Sequence, residues 1–194
     1  MIQRVPSIPI EPLWFLIVLA ALGFFVSLVP LPPNDFWWHL KIGELIVREG
    51  RIPSTNMFGW AVPADAPFTY GAWLGEVLLY LLYHAGGLPL VIFARNVLAL
   101  IAFGLIGLEA RRRSGSWRLA ALALALAGGM SLNNLIVRPQ IWSWLPFVAF
   151  YLVLTRFREG SARPTALLTL PFLMAFWVNA HGAFILGPIL LGLT

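Results

Sequence analysis

The chain has 194 residues, 60% of them hydrophobic, 14% aromatic and only 11% charged, with no cysteine and a formal net charge of +5. A soluble domain carries about 25% charged residues, and a buried core cannot absorb so large an apolar excess, so an ordinary soluble protein is excluded. Disulfides, thiolate metal sites and cysteine nucleophiles are excluded too, and the arginines sit at the ends of apolar runs, where they read as topology signals rather than a nucleic-acid-binding stripe.

In chain order, a first span runs from Leu13 to about Val29 and ends in Pro30-Leu31-Pro32-Pro33. That is no small-residue cleavage site, so the segment reads as a retained span. Residues 31–70 are too polar and proline-rich to cross a bilayer. Residues 72–84 are apolar, but a separate span there would put the triple arginine on the wrong side. They are expected as a helix at the interface, cut off from the next span by Gly86-Gly87-Leu88-Pro89. Leu88–Leu108 is the second span, followed by Arg111, Arg112, Arg113 and Arg118. The third covers Leu119 to Val137, and Arg138-Pro139-Gln140 turns the chain into a fourth, Ile141–Leu154. A second basic break, Arg156, Arg158 and Arg163, precedes a fifth span from Ala166 to Ala180. The apolar residues Ala183–Thr194 are too short to cross, so the chain is expected to stop inside a sixth span.

The expected fold is an all-α, polytopic transmembrane helix bundle of five spans and a partial sixth. It forms a single membrane domain over residues 1–194, with an extracytoplasmic loop at 31–86 that carries interfacial helices. The arginines place the N-terminus and both basic breaks in the cytoplasm. No internal repeat or second domain is visible.

The unusual polar residues converge on the opposite face. At about 100° per residue, Asp35 and His39 share a helical face with Ile42 and Ile46, while Lys41, Glu44 and Arg48 share the other. A helix lying on a membrane turns its charged face to water, which points Asp35 and His39 inward. There Asp35 is a candidate general base; alternatively it caps the helix after the prolines, with the tryptophans forming an interfacial belt. Glu76, Tyr80 and His84, four apart, form a polar stripe that lines a site or faces water. Arg95, with Asn96, lies inside the second span, where a charge is costly. It needs an acid such as Glu76 or Asp35, a bound phosphate, or a snorkelling path to the surface. Arg138, beside Asn133, Asn134 and Gln140, binds a phosphate or anchors the interface. Asn179 and His181 supply hydrogen-bonding groups beside Gly182, or else mark a fraying helix end. HExxH, GxSxG, P-loop and GxGxxG patterns are missing, which disfavours zincin proteases, serine hydrolases and nucleotide-dependent enzymes.

Asp35-Phe-Trp-Trp-His-Leu-Lys-Ile-Gly43, Gly50-Arg-Ile-Pro53-Ser-Thr55 and Trp73-Leu-Gly-Glu76 together resemble the first outer loop of GT-C-type membrane glycosyltransferases, bacterial members of uncertain specificity in particular. Arg138-Pro139-Gln140 and Trp177-Val-Asn179-Ala-His181-Gly182 are similar to later blocks of that group. The resemblance covers residues 10–194 and implies sugar transfer from a polyprenyl-phosphate donor on the extracytoplasmic face of a bacterial inner membrane. It implies Asp35 as base or acceptor-positioning acid. His39, Glu76, Arg95, Arg138, Asn179 and His181 are the expected substrate-binding residues, Arg95 and Arg138 toward phosphate. Two departures stand out. Asn56 occupies a position where relatives often carry a second acid, which disfavours a metal-dependent variant; no cofactor or metal ligand set is expected. Relatives are also longer, and their C-terminal part completes the lipid-donor site. The expected partners are membrane lipids, the polyprenyl-phosphate-sugar donor and other membrane subunits. A competing expectation is a non-catalytic subunit packed in a larger membrane complex. A transporter is disfavoured, since no pair of broken spans is seen.

Overall fold

A computed structural model describes residues 10–32 and 35–194. Those residues form seven α-helices, joined by short connections except for the long loop over residues 50–72 between the second and third, and among them the sole β pairing is an isolated bridge between Thr55 and Pro67.

Helix α1, Glu11–Leu28, carries a proline in its first turn, where the missing N–H costs nothing. Pro30 disfavours helical geometry in the residue before it, and Val29 is extended at ψ 115°, which ends the helix. Helix α2, Phe36–Glu49, buries Phe36, Leu40, Ile42, Leu45 and Ile46 and leaves Lys41 and Arg48 in solvent; of the face expected to point inward, Ile42 and Ile46 are buried and His39 is partly buried, but Asp35, at the helix start, is exposed. It ends at Gly50, whose φ of 66° needs a residue without a Cβ.

Helix α3, Trp73–Ser114, is two legs joined at Gly86 and Gly87. Gly87, at φ 64° and ψ −160°, breaks the helical path where the Gly-Gly-Leu-Pro sequence predicts it. The first leg packs on α2 through Phe36, Leu40 and Leu79. The second packs on α1 and α4 (Trp117–Ser131) through Phe15, Leu22, Ala99, Phe103 and Leu124. Ser116 caps α4 by accepting from the Leu119 N–H. Helix α5, Trp144–Arg158, and helix α6, Thr169–Ala180, share a cluster of Phe150, Leu154, Leu170 and Trp177. Helix α7 is Leu186–Leu193.

Among the described residues two helices are long and apolar enough to cross a bilayer: α1, with mean hydropathy 2.0, and α3, whose most apolar window reaches 2.2. The expected third, fourth and fifth spans are shorter as α-helices, at 15, 15 and 12 residues. The physical reason is proline and polar punctuation. 3₁₀ turns at Leu132–Asn134, Pro139–Ser143 and Pro164–Leu168 replace the helix where an even apolar run predicts it to continue.

The two basic breaks meet at one end. Glu109, 2% exposed, accepts from Arg112 and Arg113 and lies 3.4 Å from Arg156; Glu159 takes second contacts from Arg112 and Arg113. Helix α5 runs from this arginine end to Ser143 at the α2 end, about 22 Å away at 1.5 Å per residue.

Candidate functional site

The α2 end gathers four of the predicted residues into one chain of contacts. Asp35 is the N-cap residue of α2, and its carbonyl accepts the first helical bond from the His39 N–H. Its side chain makes no cap bond. Instead Oδ1 sits 2.6 Å from Nε of Arg138 and Oδ2 lies 3.6 Å from Nε2 of His39. One turn on, His39 Nδ1 is 2.8 Å from Oε1 of Glu76 in α3. The Arg138–Asp35–His39–Glu76 series therefore crosses three chain segments.

Burial separates the roles. Arg138 and Asp35 side chains are 36% and 42% exposed, and so half-solvated a pair contributes only about 0–1 kcal/mol. The contact is an ion pair without a hydrogen bond, since Nε of Arg138 is buried and has no hydrogen-bond partner, and it leaves the Asp35 carboxylate open to solvent. Glu76 is 1% exposed, and its Oε2 is buried with no hydrogen bond. With Glu76 as carboxylate, Nδ1 of His39 donates to it and Nε2 is left facing Asp35.

Two glycines make this approach feasible. A Cβ on Gly43 would lie 2.2 Å from the Glu76 carbonyl oxygen and 2.9 Å from Cβ of Tyr80, so α2 and α3 touch backbone to backbone beside the His39–Glu76 contact. A Cβ on Gly75 would lie 2.4 Å from the Ala180 carbonyl oxygen. The Gly75 carbonyl also accepts from Nε1 of Trp142 at 3.1 Å. The start of α3, the end of α6 and the turn at Pro139–Ser143 thus converge. Trp73 adds a further tie, donating from Nε1 to Oδ1 of Asn179 at 2.9 Å, while the Asn179 amide donates to the Ala175 carbonyl. Asn179 therefore ties α3 to α6.

His181 caps the break between α6 and the turn Gly182–Ile185. Its Nδ1 accepts from the Ala183 N–H at 3.1 Å and lies 3.1 Å from Oγ of Ser143, which donates to it. A backbone N–H can only donate, so the ring carries its proton on Nε2. Burial, with a smaller contribution from nearby His39, holds His181 below the usual histidine range. The site therefore contains a neutral histidine whose Nε2–H is a donor, within electrostatic reach of His39.

Arg95 is elsewhere. It is fully buried, and its guanidinium donates to the carbonyls of Val26 at 2.8 Å and Val29 at 3.0 Å, with Nε on Oδ1 of Asn96. None of the expected acids is its partner. It adds a second donor to the Val26 carbonyl, which already accepts from the Val29 N–H, and supplies one to the Val29 carbonyl, at a helix end where the dipole also favours a cation. Asn96 extends the link to Oγ of Ser27, which donates to the Gly23 carbonyl. Of the Glu76-Tyr80-His84 stripe, only Glu76 enters the site. Tyr80 and His84 stack on each other at 5.7 Å, and His84 is exposed.

Ser143 and the two packing glycines are missing from the sequence reading. Ser143 stands between two tryptophans with no periodicity to single it out. Gly43, four residues after His39 on the buried face of α2, carries a usable signal: a small residue where α2 packs. Asn56 also gains a reason. Its side chain accepts from the Gly59 N–H and donates to the Gly59 and Val62 carbonyls, folding the tip of the loop between α2 and α3. Among the described residues, no group of three or more His, Asp or Glu side chains is placed to hold a metal ion. No protein-family model, curated protein or solved structure matches the chain significantly.

Proposed function

We propose that this chain is a polytopic membrane protein of the GT-C kind that moves a sugar from a polyprenyl-phosphate donor to an acceptor hydroxyl at its α2 end. In this reading α4–α6 cross a bacterial inner membrane together with α1 and the second leg of α3, and α7 belongs to a partial sixth span. The arginine end and the N-terminus face the cytoplasm, and the α2 end faces outward.

The observation that carries the reading is the Arg138–Asp35–His39–Glu76 series. A half-exposed carboxylate, backed by a histidine and anchored by an arginine, suits displacement at an anomeric carbon. The acceptor O–H gives its proton to Asp35 Oδ2 as its oxygen bonds to the sugar carbon. The bond from that carbon to the phosphate oxygen breaks, and its electron pair leaves with the phosphate. Arg138 lies next to Asp35 to meet that charge, and His39 Nε2 takes the proton from Asp35.

The test is transfer of radiolabelled sugar from a polyprenyl-phosphate donor by purified protein in detergent. Loss of the base should lower the rate by about 10²–10⁴-fold in Asp35→Asn with the melting temperature preserved. Equal rates in the two proteins would refute the role of Asp35.

A second reading, a non-catalytic subunit of a larger membrane complex, rests on α1. Only Phe15, Leu22 and Val26 of that helix are buried, and its remaining apolar surface is open to lipid or another chain. A well-folded protein without turnover would favour it.

A further inference from the structure

We propose that the cleft between α5 and α7 at the arginine end binds the phosphate headgroup of an anionic phospholipid, with Arg158 as its cationic ligand. The inference is independent of any sugar transfer at the other end.

Charge is the first argument. The stretches around the two basic breaks hold Arg111, Arg112, Arg113, Arg118, Arg156, Arg158 and Arg163 against only Glu109 and Glu159, an excess of five positive charges. Both carboxylates are already taken, Glu109 by Arg112, Arg113 and Arg156, and Glu159 by Arg112 and Arg113. Arg111 lies over the Trp117 ring at 5.2 Å. Among the described residues Arg158 has no acidic partner, and it is exposed. An uncompensated arginine at the end of an apolar helix attracts phosphate, with which it can form two parallel hydrogen bonds.

The shape of the cleft is the second argument. A cavity of about 460 Å³ is lined by Tyr151, Thr155 and Arg158 of α5 on one side and by Leu190 and Leu193 of α7 on the other. Spacings of four and three put the α5 residues on one helical face. Arg113 and Glu159 also line the cavity, but they pair with each other at 2.8 Å, so the free charge in it is that of Arg158. A free phosphate would use the arginine and hydroxyls and leave the leucine wall unused. An amphiphile with a phosphate head uses both.

The test is native mass spectrometry of the purified protein titrated with phosphatidylglycerol or phosphatidylcholine. Phosphatidylglycerol should bind in preference, and Arg158→Gln should weaken it about fivefold, the effect of one cation near a lipid surface. Arg118→Gln removes an equally unpaired arginine outside the cleft and should leave binding unchanged. Leu193→Trp keeps the charge, fills the apolar wall and should weaken binding as well; its native residue is 73% exposed, so the fold should tolerate the change. Equal losses in Arg158→Gln and Arg118→Gln would overturn the proposal in favour of diffuse surface charge. Unchanged binding in Leu193→Trp, full competition by inorganic phosphate, or no preference between the two lipids would also overturn it.

Discussion

Replacing Gly43 by alanine tests the geometry on which the site depends. The added Cβ would meet the Glu76 carbonyl oxygen at 2.2 Å and Cβ of Tyr80 at 2.9 Å. A carbonyl in a helix and the root of a side chain cannot swing aside, so α2 and the first leg of α3 must separate. Overpacking of this kind costs about 1–3 kcal/mol. At about 2 kcal/mol, a chain of this size should lose roughly 4–8 °C in melting temperature. Displacement of about 1 Å would also stretch the 2.8 Å His39–Glu76 contact beyond hydrogen-bond length. Tryptophan-fluorescence melting in detergent supplies the readout, with Gly129→Ala as control: Gly129 has open space around its Cβ position and sits inside helix α4, where alanine is the better residue. A Gly43→Ala protein that melts with the native one would refute the close α2–α3 approach.

Arg95→Leu should destabilise the protein by about 1–3 kcal/mol, because the Val29 carbonyl loses its donor and the Val26 carbonyl keeps only the Val29 N–H; an intact melting temperature with weakened donor binding would instead return Arg95 to a phosphate role. His181, held below its ordinary 6.5 mainly by burial, binds a proton less readily folded than unfolded. The stability this contributes is complete above about pH 6.5 and is lost as pH falls through the lowered value. Melting temperature should therefore drop between pH 7 and pH 5, and drop less in His181→Asn; parallel profiles would contradict the assignment. Asn56→Ala removes the three hydrogen bonds that fold the loop tip, so limited proteolysis between residues 56 and 66 should accelerate while global melting shifts by less than about 2 °C.

What the sequence makes legible follows from period and punctuation. The inward face of α2 is readable because His39, Ile42 and Ile46 keep helical spacing against Lys41 and Arg48, whereas Asp35 shares that spacing but stays exposed at the helix start. The α3 break is readable because Gly86-Gly87 with Pro89 leaves the backbone little alternative. That both arginine breaks share an end follows from counting apolar runs, and Glu109 binds arginines from both. The shorter α4–α6 are not legible, since hydropathy is indifferent to whether an apolar stretch winds as α-helix or 3₁₀ turn. Nor is the partner of Arg95: backbone carbonyls at a helix end carry no side-chain signature, so a search for an acid or a phosphate looks in the wrong place. Ser143 is hidden for a different reason: it has no periodicity to mark it, and its partner His181 is 38 residues away.

The most direct test of the proposed site is a double-mutant cycle on sugar-transfer rate with Asp35→Asn, Arg138→Gln and the double variant. Residues 2.6 Å apart that act as a unit should be non-additive, with the double variant no slower than the worse single one. Independent, multiplying losses, or native protein without transfer, would contradict a catalytic Asp35–Arg138 pair.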